Sequence, residues 1–218
     1  MNKYSSEFEQ LKQEFGKYGS WAIWDEDGSI TEKIKKDNFQ TLIKPDAIFL
    51  GLNATIKLTN DWINYHSECQ EFKKKKWGQE FIKNLADLIM SDEFSALRGS
   101  YMTDIVKDVD LPESSKVIKE LKSNPEILSR SKNIFEKELN LLLKISLTDK
   151  FRIICIGRDT FDILCRDWDI PTKRISNKMR FASIEKYNRS FDILESYHYS
   201  YRKKENIKQD LKEIIKKC

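Results

Sequence analysis

The sequence has few of the residues that build metal centres or disulfide scaffolds. It contains two histidines, His66 and His198, and four cysteines spread along 218 residues. No two of the cysteines stand at the short spacing of a ligand pair, and only two histidines are present, which argues against a zinc or iron–sulfur site. Scattered cysteines of this kind are typical of a reducing compartment. We therefore expect no metal site.

Long apolar runs are also missing. The first residues, from Met1 to Glu7, include no apolar stretch, and no window approaches the length of a membrane span. We therefore expect a soluble, cytoplasmic protein without a membrane partner. Hydrophobic residues make up 39% of the chain, enough for a core, and the net charge of +4 permits a nucleic-acid partner without requiring one.

Four short apolar segments predict the strands of a sheet. The clearest runs from Asp46 to Gly51, where a continuous apolar stretch opens after a proline and closes at a glycine. Strands covered by helices on both faces have this composition. Three further segments predict strands by similar patterns: Ser100 to Val106, Phe151 to Gly157 and, more weakly, Phe191 to Tyr197.

Segments with apolar residues at helical spacing separate these strands. The predicted helices are Ser5 to Tyr18, Trp77 to Met90, Ser114 to Lys122, Pro125 to Ile145, Arg158 to Trp168 and Lys203 to Lys217. Strands that alternate with helices favour a three-layer α/β/α sandwich with a mainly parallel four-stranded sheet. The length favours one domain over residues 1–218, with residues 1–44 as a helical or edge segment packed on it.

Polar or small residues stand at the carboxyl end of every predicted strand. They are Gly51-Leu52-Asn53, Thr103-Asp104, Gly157-Arg158 and Tyr197 to Ser200. The carboxyl ends of parallel strands meet at one edge of an open α/β sheet, where ligands bind. We therefore expect a site there.

These four segments resemble, in order, motifs of the uracil-DNA glycosylase superfamily, closest to its mismatch-specific branch. Gly51-Leu52-Asn53 resembles a first motif that usually reads Gly-(Ile/Leu)-Asn-Pro. The stretch from Tyr101 to Lys107 resembles the second strand, and Ile154 to Arg158 resembles the third. His198-Tyr199-Ser200 resembles a His-Pro-Ser loop after the last strand. The resemblance covers roughly residues 45 to 205.

The resemblance implies a DNA glycosylase that flips a nucleotide out of DNA and hydrolyses its N-glycosidic bond, without a metal or an organic cofactor. Asn53 would orient the attacking water, and His198 would donate a hydrogen bond to the departing base. The base would lie against a further set of residues: Gly51, Leu52, Asp104 and either Trp62 or Tyr65. The implied DNA contacts are Thr55, Lys57, Arg158, Ser200, Tyr201, Arg202 and Lys203. This arrangement requires Asn53 and His198 to share a cleft with Asp104 at its floor.

Three positions depart from the family pattern. Ala54 and Tyr199 replace prolines, and Asp104 replaces a base-reading asparagine. Because an ionised carboxylate only accepts hydrogen bonds, Asp104 predicts a preference for an amino-bearing base over uracil.

Other interpretations stay open. The same fold could bind nucleic acid or a nucleotide without catalysis, or an unrelated doubly wound protein could bind a small anion at this edge. His198 could be a structural histidine, Asp104 a helix cap, and Arg158 a partner of Asp162. The run Lys73 to Lys76 could be a solvated face rather than a phosphate contact.

Overall fold

The structure is a computed structural model that describes residues 5–25, 41–55, 57–66, 76–146, 148–175, 179–198 and 204–216. The helices within these ranges are α1 (Ser5–Phe15), α2 (Lys76–Ile89), α3 (Ser114–Ser123), α4 (Pro125–Ile145), α5 (Arg158–Asp167) and α6 (Lys204–Lys216). A 3₁₀ segment spans Asp92–Leu97. The strands are β1 (Ser20–Trp21), β2 (Ala47–Asn53), β3 (Tyr101–Val106), β4 (Lys150–Ile156), β5 (Lys173–Arg174), β6 (Arg180–Lys186) and β7 (Arg189–Ser196).

The strands form one seven-stranded sheet in the order β1-β3-β2-β4-β7-β6-β5. Strands β3, β2, β4 and β7 are parallel neighbours, and they contain the four predicted segments. The outer strands pair in antiparallel fashion: β1 with β3 at one edge, and β6 with β7 and with the edge strand β5 at the other. The α/β class is therefore confirmed, but the sheet is larger and more mixed than the predicted four-stranded one. Strands β1 and β5 have two residues each, too few for a periodic signal.

Side chains alternate between the two faces of the sheet. Ile48 and Leu50 of β2 pack into a core with helices α1, α3, α4 and α5, whereas Phe49 packs into a second core with α2, the 3₁₀ segment and α6. All six of the residues from Ala47 to Leu52 are buried. A strand that contributes to both cores must be apolar on both faces, which explains the continuous run in the sequence.

The order of the strands places the end of β2 near the middle of the sheet, between β3 and β4. Gly157 follows β4 directly with φ of 99°, and α5 begins at the next residue. A side chain rarely adopts this φ, so a glycine permits the immediate turn from strand to helix. None of the helices described above is long and apolar enough to span a bilayer.

Candidate functional site at the carboxyl ends of the parallel strands

A cleft of about 340 Å³ opens where β2, β4 and β7 end. Its volume falls in the range of pockets that hold small molecules. Nine residues line it: Leu52, Ser114, Ile156, Gly157, Arg158, Asp159, Thr160, Tyr197 and His198. Leu52 comes from β2, Ile156 and Gly157 from the end of β4, and His198 from the segment after β7. The structure therefore brings together residues from three of the four predicted strand ends.

The beginning of α5 forms one wall of the cleft. Gly157 precedes this helix, and no side chain caps the helix there. Among the described residues, a Cβ built on Gly157 would meet only the Cβ of His198, at 3.9 Å, which is an ordinary contact distance. The backbone N–H groups at the start of a helix carry partial positive charge, which favours an anionic group, whereas the Asp159 carboxylate in the same turn opposes one.

His198 also lines the cleft, next to Gly157, and is partly buried. Burial lowers the pKa of His198 from 6.5 to about 4, because desolvation disfavours the charged imidazolium. The ring is therefore neutral at pH 7. A neutral imidazole has one nitrogen that donates and one that accepts a hydrogen bond. Such a ring can donate to a carbonyl oxygen without bringing a charge into the cleft.

Arg158 is the cationic side chain of the cleft, and it is 75% exposed. Its Nε lies 3.9 Å from Oε1 of Glu195, whose other oxygen accepts a hydrogen bond from Arg180 Nε at 2.5 Å. Arg180 also donates to Asp162 at 2.6 Å. Asp162 therefore pairs with Arg180, and Arg158 keeps only a loose contact with Glu195. Its guanidinium remains largely exposed to solvent.

Asn53 ends β2, but the wall of the cleft on this side is Leu52. The Nδ2 atom of Asn53 donates to three backbone carbonyls, those of Ala54 at 2.8 Å and of Val109 and Leu111 at 2.9 Å each. Its Oδ1 receives no hydrogen bond from the described residues. The amide is thus fixed in orientation by the loop that follows β3.

Asp104 does not form the floor of this cleft. It lies within β3, is 4% exposed and is no helix cap. Its carboxylate accepts from the Tyr65 hydroxyl at 2.5 Å and from Asn64 Nδ2 at 2.9 Å. Burial raises the pKa of Asp104, and these two hydrogen bonds oppose the rise. A Cβ on Gly51 would overlap both the Tyr65 hydroxyl and Asp104, so the glycine makes room for their contact.

The two predicted stacking residues are both buried. Trp62 is 3% exposed and packs in an aromatic group with Phe8, Trp21 and Tyr101. Tyr65 is 5% exposed and lies in the other core. Both residues have positive φ, 61° and 67°, which is unusual for large side chains and is sustained here by tight packing. In this conformation neither ring offers a surface for a base.

The remaining predicted DNA contacts fall in different places. Thr55 and Lys57 are exposed beyond the end of β2. Ser200, Tyr201, Arg202 and Lys203 lie outside the described residues, as do Lys73, Lys74 and Lys75. Three lysines of α6 form ion pairs with acidic residues near α2: Lys204 with Asp87, and Lys208 and Lys212 with Glu93. These pairs neutralise part of the cationic face of α6.

Sequence reasoning missed Ser114, Asp159 and Thr160 as residues of the cleft. A usable signal exists for the last two, because a strand that ends in Gly and passes straight into a helix places the first turn at the sheet edge. Nothing near Ser114 in the sequence indicates the cleft, since its position depends on the loop that Asn53 holds. Within the described ranges, no three His, Cys, Asp or Glu side chains are grouped to bind a metal ion.

Comparisons of this chain with protein-family models, curated proteins and solved structures found no match. The resemblance to uracil-DNA glycosylases therefore depends on the four sequence segments alone.

Proposed function

We propose that the chain is a DNA-glycosylase-like protein that takes a single flipped nucleotide into the cleft and hydrolyses its N-glycosidic bond. The observation that supports this proposal is the position of His198 and Arg158 on one cleft at the carboxyl ends of β2, β4 and β7. The segments at these strand ends are three of the four that carry the resemblance.

The chemistry of the cleft fits this reaction. When an N-glycosidic bond breaks, positive charge builds on the sugar and negative charge on the departing base. Neutral His198 would donate a hydrogen bond to a carbonyl oxygen of the base as that charge develops. Arg158 and the start of α5 would bind a phosphate next to the flipped nucleotide. These groups together supply a contact for the base and one for the backbone.

A specific observation favours a second candidate, a nucleic-acid or nucleotide-binding module without catalysis. The Asn53 amide is engaged by the chain itself, and Leu52 stands at the wall in its place. Asp104 is 4% exposed, does not line the cleft and accepts a hydrogen bond on each oxygen, so in this conformation it is out of reach of an amino-bearing base in the cleft. The preference for such a base therefore stays a hypothesis.

An excision assay separates the two candidates. Duplex and single-stranded oligonucleotides, each with one deaminated, mismatched or modified base, are incubated with the protein and then treated with alkali, which cleaves at abasic sites. We expect cleavage with the wild type, none with His198→Ala, and weaker DNA binding with Arg158→Ala. Arg166→Ala is the matched control, because Arg166 is exposed on the same helix, away from the cleft.

Each result has a clear meaning. Salt-sensitive binding that Arg158→Ala weakens, without any abasic product, supports the binding module and refutes the glycosylase. Equal losses in Arg158→Ala and Arg166→Ala would show that the cleft is not the DNA site. Absence of binding at low salt would refute both candidates.

A further inference from the structure

The side chain of Asn53 is used in a way that the glycosylase resemblance does not predict. One amide nitrogen, Nδ2, lies 2.8 to 2.9 Å from the carbonyl oxygens of Ala54, Val109 and Leu111. An amide nitrogen carries two hydrogens, so these three acceptors share them and occupy its whole donor capacity. Two of the acceptors lie more than 50 residues away in the sequence, in the loop between β3 and α3.

The side chains of Val109 and Leu111 pack against the core, but the backbone of this loop has few partners. Among the described residues, positions 108 to 112 make no backbone–backbone hydrogen bond. The loop begins at Asp108, which has φ of 58° and accepts a hydrogen bond from the Tyr18 hydroxyl at 2.9 Å. In its second half, the carbonyls of Val109 and Leu111 accept hydrogen bonds from Asn53 Nδ2. Carbonyl groups in a compact fold require such donors, and Asn53 supplies one to Val109 and to Leu111.

The loop leads directly into the cleft. Ser114 is the first residue of α3 and lines the cleft across from the beginning of α5. Farther along, α3 is anchored to the core by Val117 and Leu121. The helix from Val117 onward is therefore fixed by packing, whereas the residues before it, from the N-cap Glu113 to Lys116, follow the position of the preceding loop.

We propose that Asn53 is a positioning residue that sets the wall of the cleft formed by the first turn of α3. It acts through its donor nitrogen on the 109–111 carbonyls. The proposal deepens the proposed function, because it concerns the same cleft and replaces the water-orienting role that the resemblance implies for Asn53. The two roles use different atoms: positioning requires Nδ2, and orientation of a water requires Oδ1.

Asn53→Asp separates the two roles. It retains an oxygen in the Oδ1 position but replaces the donor nitrogen with an acceptor that repels the three carbonyls. The main readout is hydrogen exchange at the amides of Lys116 and Val117, which bond to the Glu113 carbonyl in the first turn of α3. We expect exchange roughly tenfold faster at these amides. The amide of Ile127, which bonds to Asn124 at the beginning of α4, should be unchanged.

Asn140→Asp controls for the added charge, because Asn140 is exposed on α4. Unchanged exchange at Lys116 and Val117 in Asn53→Asp would overturn the proposal. Where Asn53→Asp is too unstable for measurement, Asn53→Ala decides, since it removes the donor nitrogen without adding a charge. Faster exchange confined to the first turn of α3 supports the positioning role of Asn53, and exchange equal to that of the wild type refutes it.

The exchange measurement needs no activity, so it tests Asn53 even if the excision assay fails. If excision is observed, the kinetics give a second readout. Loss of positioning raises KM in Asn53→Asp and leaves the pH profile of kcat unchanged. If Asn53→Asp instead keeps the wild-type KM and its kcat gains a new decrease at acid pH, the carboxylate acts on the attacking water. That result would refute the positioning role.

Discussion

His198 gives the strongest link between the cleft and a measurable pH dependence. Burial lowers the pKa of this imidazole to about 4 in the folded protein, from 6.5 for an unperturbed histidine. Between these two pH values the unfolded chain binds a proton that the folded chain does not bind. The free energy of unfolding therefore rises with pH across this window, and acidification from pH 6.5 to 4 removes stability.

The magnitude follows from the gap between the two pKa values. Each pKa unit corresponds to about 1.4 kcal/mol, so the lowered pKa of His198 changes the free energy of unfolding by about 3 kcal/mol over the whole window. Roughly 2 to 3 kcal/mol of this stability is lost by pH 4.5. That is a large share of the roughly 5 to 15 kcal/mol that stabilises a typical domain. Above about pH 7.5 His198 contributes no further dependence, since the ring is neutral in both states.

The measurement is urea unfolding of the wild type and of His198→Gln at pH 7.5, 6.0 and 4.5, followed by circular dichroism. Carboxylates also titrate near pH 4.5, but they are common to both proteins and cancel in the difference. We expect the wild type to lose roughly 2 to 3 kcal/mol more than His198→Gln between pH 7.5 and 4.5. Equal losses, or an imidazole that titrates near 6.5 by NMR, would refute a buried neutral histidine at the cleft.

Two stability predictions concern the core around β3 and β2. Lys107→Met should lower the free energy of unfolding by about 3 to 5 kcal/mol, because it leaves the buried Glu138 carboxylate without its cationic partner. Lys116→Met should lower it by under about 1 kcal/mol, because its pair with Glu113 is exposed, although both pairs have a separation of 2.7 Å. Similar urea midpoints for the two variants would contradict this. Gly51→Ala should cost about 3 kcal/mol by displacing the Tyr65 hydroxyl, and retention of the wild-type midpoint would show that the contact yields easily.

The sequence predicts the central part of the fold because local patterns determine it. The segment from Asp46 to Gly51 is apolar at every position from Ala47 to Leu50, and only a strand with a core on each side accommodates such a run. The helix predicted for Pro125 to Ile145 has the same bounds in the structure, since Pro125 can begin a helix but cannot continue one. Strand β6 was missed because it is polar and partly exposed, and pairing with β7 determines its structure.

The site was predicted less completely, and the reason is geometric. Strand order brought Leu52, Arg158 and His198 to one edge, as the pattern of strand ends indicated. The placement of Trp62 and Tyr65 depends on positive φ at both residues, which is held by contacts with residues far away in the sequence. No local sequence pattern predicts a positive φ at a large aromatic residue, because such a residue disfavours positive φ when it is considered alone.

Hydrogen-bonding capacity separates the polar residues that build the fold from those that can serve a ligand. The carboxylate of Glu138 accepts from Tyr101, Thr103 and Lys107, and the carboxylate of Asp104 accepts from Tyr65 and Asn64. A buried group that is fully paired gains nothing from a ligand and loses a great deal when a partner is removed. Arg158 has one loose contact and is mostly exposed, so a phosphate can approach it without breaking the fold. By this criterion Asp104 belongs to the framework and Arg158, in the first turn of α5, to the candidate site, whereas the resemblance assigns both residues to the site.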